Sequence, residues 1–386
     1  MAPTMVQGMR LSTTQRTETA NDRDVFPALL KVDPNAGPLT VLGGKLRKES
    51  CQRPKFEWFE KEHLPVQDVF GAAYGADDAT FTATNYKYFR AGDILLVMET
   101  GEQILVTATP STTTVTATRA WGEVSAAAAT NGSKLKIIGS ASEEGDTSRD
   151  VLSTQKAPKY NYVGIIRDPF ELSNTAKLSR TYAGMDFEVE AAEMLWTHLT
   201  KIERMNLEGQ RYEDTSSTEP RRASRGIKNW ISTTVVNIGG GLTEPAFDAF
   251  LRRLFRYGNE KILLNAPIVT QAISGFAKDR LQVSDVMMKK YGMSINQYIS
   301  PFGVAMLANH KLFENDDLTD FDGLAGTSIG VDISNIRIRH MEGRISVRKQ
   351  NIQANDKDSR KDEYLTEMGL QVGLEETHGK MTGITG

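Results

Sequence analysis

Tyr160-Asn-Tyr-Val-Gly-Ile-Ile166 is a run of aromatic and β-branched residues, and beyond Gly184 it is followed by Ala191, Leu195, Leu199, Ile202 and Met205 at steps of four and three. The first segment reads as a long strand, the second as the apolar face of a helix. Glu188, Glu193, Lys201, Glu203 and Arg204 fall mostly on the other faces of that helix. Gly184 precedes it and Gly209 stops it, which predicts about 24 residues and about 36 Å of helix. Such a length exceeds that of an ordinary globular helix and suits an element that crosses a whole domain.

Downstream the pattern is α/β. Thr243-Glu-Pro-Ala246 opens a helix with Pro near its first position, and the helix is expected to run to about Tyr257, before Gly258-Asn259. Lys261 to Leu264 reads as a buried strand, Pro267 to Phe276 as a helix and Gly303 to Leu307 as a strand. Ile336 to His340 and Arg344 to Arg348 alternate around Gly343. From Tyr364 to Leu374 the period is two, which places Glu367, Gln371 and Glu375 on an outer face. There is no internal repeat of solenoid period.

Upstream, residues 56–139 break into short β-type segments at glycine turns: Lys87 to Arg90, Asp93 to Met98, Gln103 to Ala108, Thr113 to Thr118 and Lys134 to Ile138. They predict a small antiparallel barrel or sandwich of about 60 residues. In the first 55 residues Pro27, Pro34, Gly37, Pro38, Gly43 and Gly44 interrupt any long helix, so the segment reads as an extended arm. An arm with no core of its own is most simply ordered by neighbouring subunits.

Composition narrows the function. Lys plus Arg number 46 against 49 Asp plus Glu, a net charge of −3, which is not the balance of a protein that grips nucleic acid through its phosphates. The single Cys51 excludes an intrachain disulfide and a thiolate metal cluster, and so points to a reducing compartment or a particle assembled there. Met1 to Ala20 is polar, without the apolar core of a signal peptide, and no apolar run spans a bilayer; no membrane partner is expected.

Catalytic constellations are not assembled by spacing. His63, His198, His310, His340 and His378 are scattered, so no metal site is expected, and neither is a cofactor. Cys51 with His63 could form a nucleophile and base, but no oxyanion-hole motif accompanies them. Gly239-Gly-Gly-Leu-Thr-Glu-Pro-Ala246 imitates a phosphate loop but lacks the Gly-Lys-Ser/Thr ending, and reads as a flexible turn before a helix. Asn315 to Gly323 is rich in carboxylates. Aligning Gly323 on the glycine of a calcium loop puts Leu318 and Ile329 where Asp and Glu are needed, so a solvated loop is the reading. Positive charge concentrates in Arg221, Arg222, Arg225 and Lys228 and in Arg252, Arg253 and Arg256; such clusters usually form a solvated face or salt bridges. No catalytic, cofactor-binding or metal residue is expected, and the chain does not read as an enzyme.

The order of a strand at Tyr160 to Ile166, then Pro169-Phe-Glu-Leu-Ser-Asn-Thr-Ala176, Gly184-Met-Asp186 and a helix ending in Lys201-Ile-Glu-Arg-Met-Asn-Leu-Glu-Gly209 resembles the major capsid proteins of tailed bacteriophages with the Hong Kong 97 type fold. Gly37-Pro-Leu-Thr-Val-Leu42, Phe56-Glu-Trp-Phe-Glu60 and the closing Glu375-Glu-Thr-His-Gly-Lys-Met-Thr-Gly383 add to the resemblance. It implies an α+β fold with an N-terminal arm at 1–55 and an extended loop at 56–166 carrying a β-rich insertion at about 80–140. It further implies a peripheral domain at 167–225 with a spine helix at about 183–209, an axial domain at 226–345, and strands at 346–386 that return to the peripheral domain.

The implied function is a structural subunit that self-assembles, as pentamers and hexamers, into the icosahedral head shell around double-stranded DNA, which it adjoins without specific binding. The location is the virion, after assembly in the host cytoplasm. With no long helical pro-segment ahead of the arm, a separate scaffolding protein is expected, with a portal and a possible decoration protein. The alternatives are a cellular nanocompartment shell protein of the same fold, which would normally be shorter and lack the long arm, and another phage structural protein of the tail or decoration kind.

Overall fold

Leu95, Val97, Ile104, Val106, Val115 and Leu135 occupy alternate positions of their segments, and all of them point into one core where each is almost fully buried. The structure is a computed structural model that describes residues 46–145, 147–178, 187–276, 281–283, 295–311, 313–314 and 323–385. The arm up to residue 45, Gly184-Met-Asp186 and the acidic stretch 315–322 lie outside these residues. Two compact units are formed, one by 58–159 and the other by 46–57 with 160–385.

The chain begins with Arg47–Cys51 (β1) and Lys55–Glu60 (β2). The strands of the first unit follow: Gln67–Val69 (β3), Thr80–Thr82 (β4), Asp93–Val97 (β5), Gln103–Val106 (β6), Thr114–Thr118 (β7) and Lys134–Ser140 (β8). They pair antiparallel in the order β3-β8-β5-β6-β7-β4. A bridge between Phe70 and Ala83 and the bond from Thr84 N to Val69 O bring β4 back to β3, so the sheet closes into a barrel without a free edge. Phe70, Tyr74, Phe81 and Phe89 fill it with edge-on and tilted ring contacts at 5.2–6.1 Å. The first strand of the barrel starts at Gln67, ahead of the insertion at about 80–140 that the resemblance implies, and Lys87 to Arg90 is not a strand: Tyr86–Tyr88 makes a single 3-10 turn.

In the second unit the run 160–166 is not one strand but two. Ala157–Tyr162 (β9) pairs with β2, Val163 donates its N–H to Pro54 O, and Gly164–Ser173 (β10) then joins a different sheet. Asn174–Leu178 (α1) and Phe187–Glu208 (α2) come next; α2 has 22 residues, about 33 Å at the usual rise. Tyr212–Asp214 (β11) and Arg221–Ala223 (β12) form a small ribbon, and Ile227–Trp230 (α3) follows. The remaining elements are Val235–Gly241 (β13), Glu244–Leu254 (α4), Glu260–Asn265 (β14), Pro267–Phe276 (α5), Leu281–Val283 (β15), Ile295–Ser300 (β16) and Gly303–Asn309 (β17). The chain ends with Ser328–Val331 (β18), Ile336–Met341 (β19), Val347–Lys349 (β20), Ser359–Val372 (β21) and Gly379–Thr385 (β22). Helix α4 stops at Leu254, short of the expected Tyr257, and of Arg344 to Arg348 only the end is strand.

Two sheets organise this unit. One has the order β1-β19-β21-β10, with β20 also on β21; the other runs β13-β22-β18-β14-β17-β16-β15. Residues 346–386 therefore do not return as one piece: β20 and β21 serve the first sheet, whereas β22 enters the second between β13 and β18. Strand β21 is central and covered on both faces, so Glu367 and Gln371 are buried rather than on an outer face. Glu375 lies beyond the strand and accepts bonds from the N–H groups of Ser232 and Thr233, which together outweigh the opposing effect of burial and hold its carboxyl below the usual range.

Helix α2 packs on β10 and β21 through Phe187 and Ala191, which join Phe170 and Tyr364 in a core with half-buried Leu172, Met194 and Leu195. Gly369 of β21 permits the close approach of β2 and β9 instead: a Cβ there would collide with Tyr162 O and stand 2.9 Å from the Phe56 ring. Gly369→Ala is expected to cost about 2 kcal/mol by overpacking, read as a lower denaturation midpoint at unchanged slope. A neutral result would mean that the strands separate without strain.

Candidate assembly interfaces

The residues singled out for chemistry are used by the fold. Cys51, half-buried at the end of β1, donates its S–H to His340 O at 3.4 Å, and burial pushes its thiol above the ordinary value, the opposite of what a nucleophile requires. His63 is exposed on a loop of the other unit. Cys51→Ala is expected to change stability by less than about 1 kcal/mol and to leave assembly unaltered; loss of assembly in light scattering would refute this. Gly239-Gly-Gly241 is the end of β13, paired in parallel with β22 across a bulge that Gly239 allows at φ +66°, rather than a free turn. Among the described residues no group of three or more His, Cys, Asp or Glu could hold a metal, and no helix is long and apolar enough to cross a membrane.

The helix that decides the fold carries buried polar groups, and periodicity sets one of them, Glu203, off the apolar face. His198 bonds Asp168 Oδ2 through Nδ1 at 2.6 Å and Thr366 Oγ1 through Nε2 at 2.7 Å, while Lys201 reaches the other oxygen of Asp168. This chain of groups has the residue types of a catalytic relay, but His198 and Thr366 are fully buried, so no substrate can reach them. Glu203, expected on the polar face, is fully buried and bonds His310 Nε2 at 2.9 Å; the His310 ring stacks on Phe313 at 4.0 Å. Both networks tie α2 to strands distant in sequence.

Charge pairing tells the surfaces apart. In this unit the partly buried arginines hold carboxylates: Arg222 with Glu213, Arg337 and Arg339 with Glu49, Arg344 with Glu367, and Arg348 and Arg360 with Asp362. Lys228 pairs with Glu208 at 2.6 Å. Arg211 and Arg225 differ. Arg211 donates to Tyr160 O at 2.8 Å and lies 3.8 Å over the Tyr160 ring; Arg225 donates to Asn229 O and lies 4.6 Å over Trp230. Burial, then the positive charge of Arg211, lowers the proton affinity of the Arg225 guanidinium. Of the sequence-marked cluster, Arg222 and Lys228 are thus neutralised within the chain. Arg252 and Arg253 stay exposed on α4 and Arg256 just beyond it, Arg256 lying 5.4 Å from the Tyr257 ring centre. No sequence signal marked Arg211.

Large apolar side chains reach the surface at Phe59, Val151, Leu178 and Tyr212, each more than 60% exposed. On the barrel, Val66, Met98 and Ile138 are exposed around strand β8. Such residues in number mark contact surfaces more than a solvated exterior.

A family model described as the SU10 major capsid protein matches residues 11–385. The major capsid protein of Pseudomonas phage PaMx41 is 22% identical over 348 residues, which is 86% of this chain and 82% of that protein. Among solved structures, the capsid of a native GTA particle superposes over 98% of this chain and 100% of its own, with a TM-score of 0.50 at 9% identity. A structure of Mycobacterium phage Bobi covers 95% of this chain and 97% of its own at a TM-score of 0.46 and 8% identity.

Proposed function

The chain belongs to the SU10 major capsid protein family, and from that premise we propose how its parts serve a shell. It is a major capsid protein of a tailed phage, a structural subunit of the head, with the α+β Hong Kong 97 type fold. The observation that carries this is the family match over nearly the whole chain.

In the proposed division of labour, α2 is the spine of a peripheral domain at 167–225 and the seven-stranded sheet is the body of an axial domain at 226–345. The arm at 1–55 and the loop at 56–166 reach neighbouring copies. Exposed Phe59 and Val151 of the loop support this, because each would leave water only at a subunit contact. The barrel is read as a contact between capsomers, supported by Val66, Met98 and Ile138 on its outer side. The copies would associate as pentamers and hexamers in the virion around double-stranded DNA. Assembly would take place in the host cytoplasm with a separate scaffolding protein, a portal and a decoration protein, and the subunit would catalyse no reaction. Near-neutral charge suits a wall beside DNA that does not cling to it.

Electron microscopy of the purified protein, with scaffold added if needed, tests the reading. Closed shells, or rings of five and six, are expected. A strictly monomeric protein across the concentration range would overturn it.

A further inference from the structure

We propose that Arg211 and Arg225 form a receptor for one carboxylate, an Asp or Glu side chain of a second copy of this chain. The inference rests on the capsid reading. Gln210, Arg211, Arg225 and Asn229 line a pocket of about 300 Å³, and none of these residues is acidic. Both guanidinium groups keep N–H donors beyond those spent on Tyr160 O and Asn229 O. Both lie over aromatic rings, 3.8 Å from the Tyr160 centroid and 4.6 Å from that of Trp230, which limits their movement before anything binds.

What separates this pair from the rest of the unit is the missing counter-charge. Among the described residues of this unit every other partly buried arginine meets a carboxylate of its own chain, whereas these two meet carbonyl oxygens and each other's field. The acid whose charge acts on Arg225 is Glu375, and its oxygens are already taken by Ser232 and Thr233. Two like charges left half-buried in one pocket are stabilised by an anion placed between them, and a carboxylate matches the guanidinium fork.

The surroundings favour a protein acid over DNA. A nucleic-acid backbone presents a row of phosphates and calls for a row of free cations. Here Lys228 is spent on Glu208, Lys380 donates to Lys228 O, and Glu208 and Glu375 stand beside the pocket. A single carboxylate fits between such acids; a polyanion is repelled by them. Copies of a chain with more Asp and Glu than Lys and Arg carry acids to spare.

The test compares assembly of the full-length protein with that of Arg211→Ala, Arg225→Ala and Arg225→Lys. Each alanine variant is expected to raise the protein concentration needed for shells at least about tenfold, with circular dichroism and melting of the unassembled chain unchanged, and the lysine variant to fall between. Cryo-electron microscopy of wild-type shells provides a second reading that does not depend on the variants folding. A carboxylate of a neighbouring copy bonded to both guanidinium groups is expected. A DNA phosphate or solvent alone in the pocket overturns the inference, as does assembly of both alanine variants at the wild-type concentration. Wild-type protein that forms no shells at all would take down the capsid reading and this inference with it.

Discussion

Replacing Glu102 by alanine is expected to destabilise the barrel by about 3–5 kcal/mol, the usual penalty for breaking a buried ion pair from one side. Glu102 is fully buried and accepts four bonds: from Arg119 Nε at 2.8 Å and Nη2 at 2.7 Å, and from the N–H groups of Ala120 at 2.9 Å and Ala127 at 3.3 Å. Arg119 also lies 4.0 Å over the Tyr74 ring, so it cannot swing out to water without opening the aromatic core. Removing the carboxylate leaves a buried cation and two amides without their acceptor. Glu102→Gln keeps the shape and part of the bonding and should cost less. Thermal melts of the full-length chain, with aromatic circular dichroism reporting on the barrel, read the difference; a loss below about 1 kcal/mol in the alanine variant would show that the network is not what holds the barrel closed.

The same carboxyl sets an acid limit. Burial by itself would raise its pKa, but the bonds from Arg119, Ala120 and Ala127 together outweigh burial and hold it below the usual carboxylate range. A group held low in the folded state contributes stability above its unfolded pKa, and that contribution is lost as the pH falls through the folded value. The barrel should therefore begin to weaken as the pH falls into the range where free glutamate titrates, and go on weakening down to the lower folded value.

Asp332→Ala is expected to have a comparable effect, about 3–5 kcal/mol, in the seven-stranded sheet. Lys261 is a fully buried cation in β14, and its Nζ meets Asp332 Oδ2 at 2.8 Å; Asp332 also caps Ser334 N at 3.1 Å. The alanine variant strands the ammonium group. Combining it with Lys261→Met removes the stranded charge and should recover most of the loss, whereas two additive losses in urea melts would refute the pairing argument.

Next to this pair, His378 accepts the N–H of Asp332 at 3.1 Å, and burial, then the Lys261 charge, pushes its pKa down to about 4. It stays neutral in the folded chain while the unfolded chain takes up a proton below its ordinary value of 6.5. Stability from this residue is complete above that value and declines as pH falls toward about 4, by about 3 kcal/mol over the window. Wild type should lose stability between pH 6.5 and 4, and a His378→Asn variant should show a flatter profile. Equal slopes in urea titrations would exclude His378 as the cause.

Much of this fold is legible locally. The spacing of Ala191, Leu195, Leu199, Ile202 and Met205 announces α2, and the glycine-separated β-branched runs announce an antiparallel barrel or sandwich, because side-chain direction repeats over a few residues. Glu203, Glu367 and Gln371 are misread by the same logic. A polar residue at a polar position looks solvated until a second element covers it, as His310 covers Glu203 and the flanking sheet covers Glu367. The arginine cluster shows the limit most sharply. Counting Arg221, Arg222, Arg225 and Lys228 finds positive charge, but Glu213 and Glu208 cancel part of it, and Arg211 enters only through the fold.

The amino-acid sequence by itself determined most of the element types, a β-rich segment of barrel or sandwich kind, the long helix and the balance of charge, all of which follow from neighbours a few residues apart or from composition. Only the tertiary structure decided which charges are neutralised, which strand is central and where a counter-charge is missing. Those properties depend on partners many residues away, and the energy of a buried charge is set by what touches it rather than by what adjoins it in the chain.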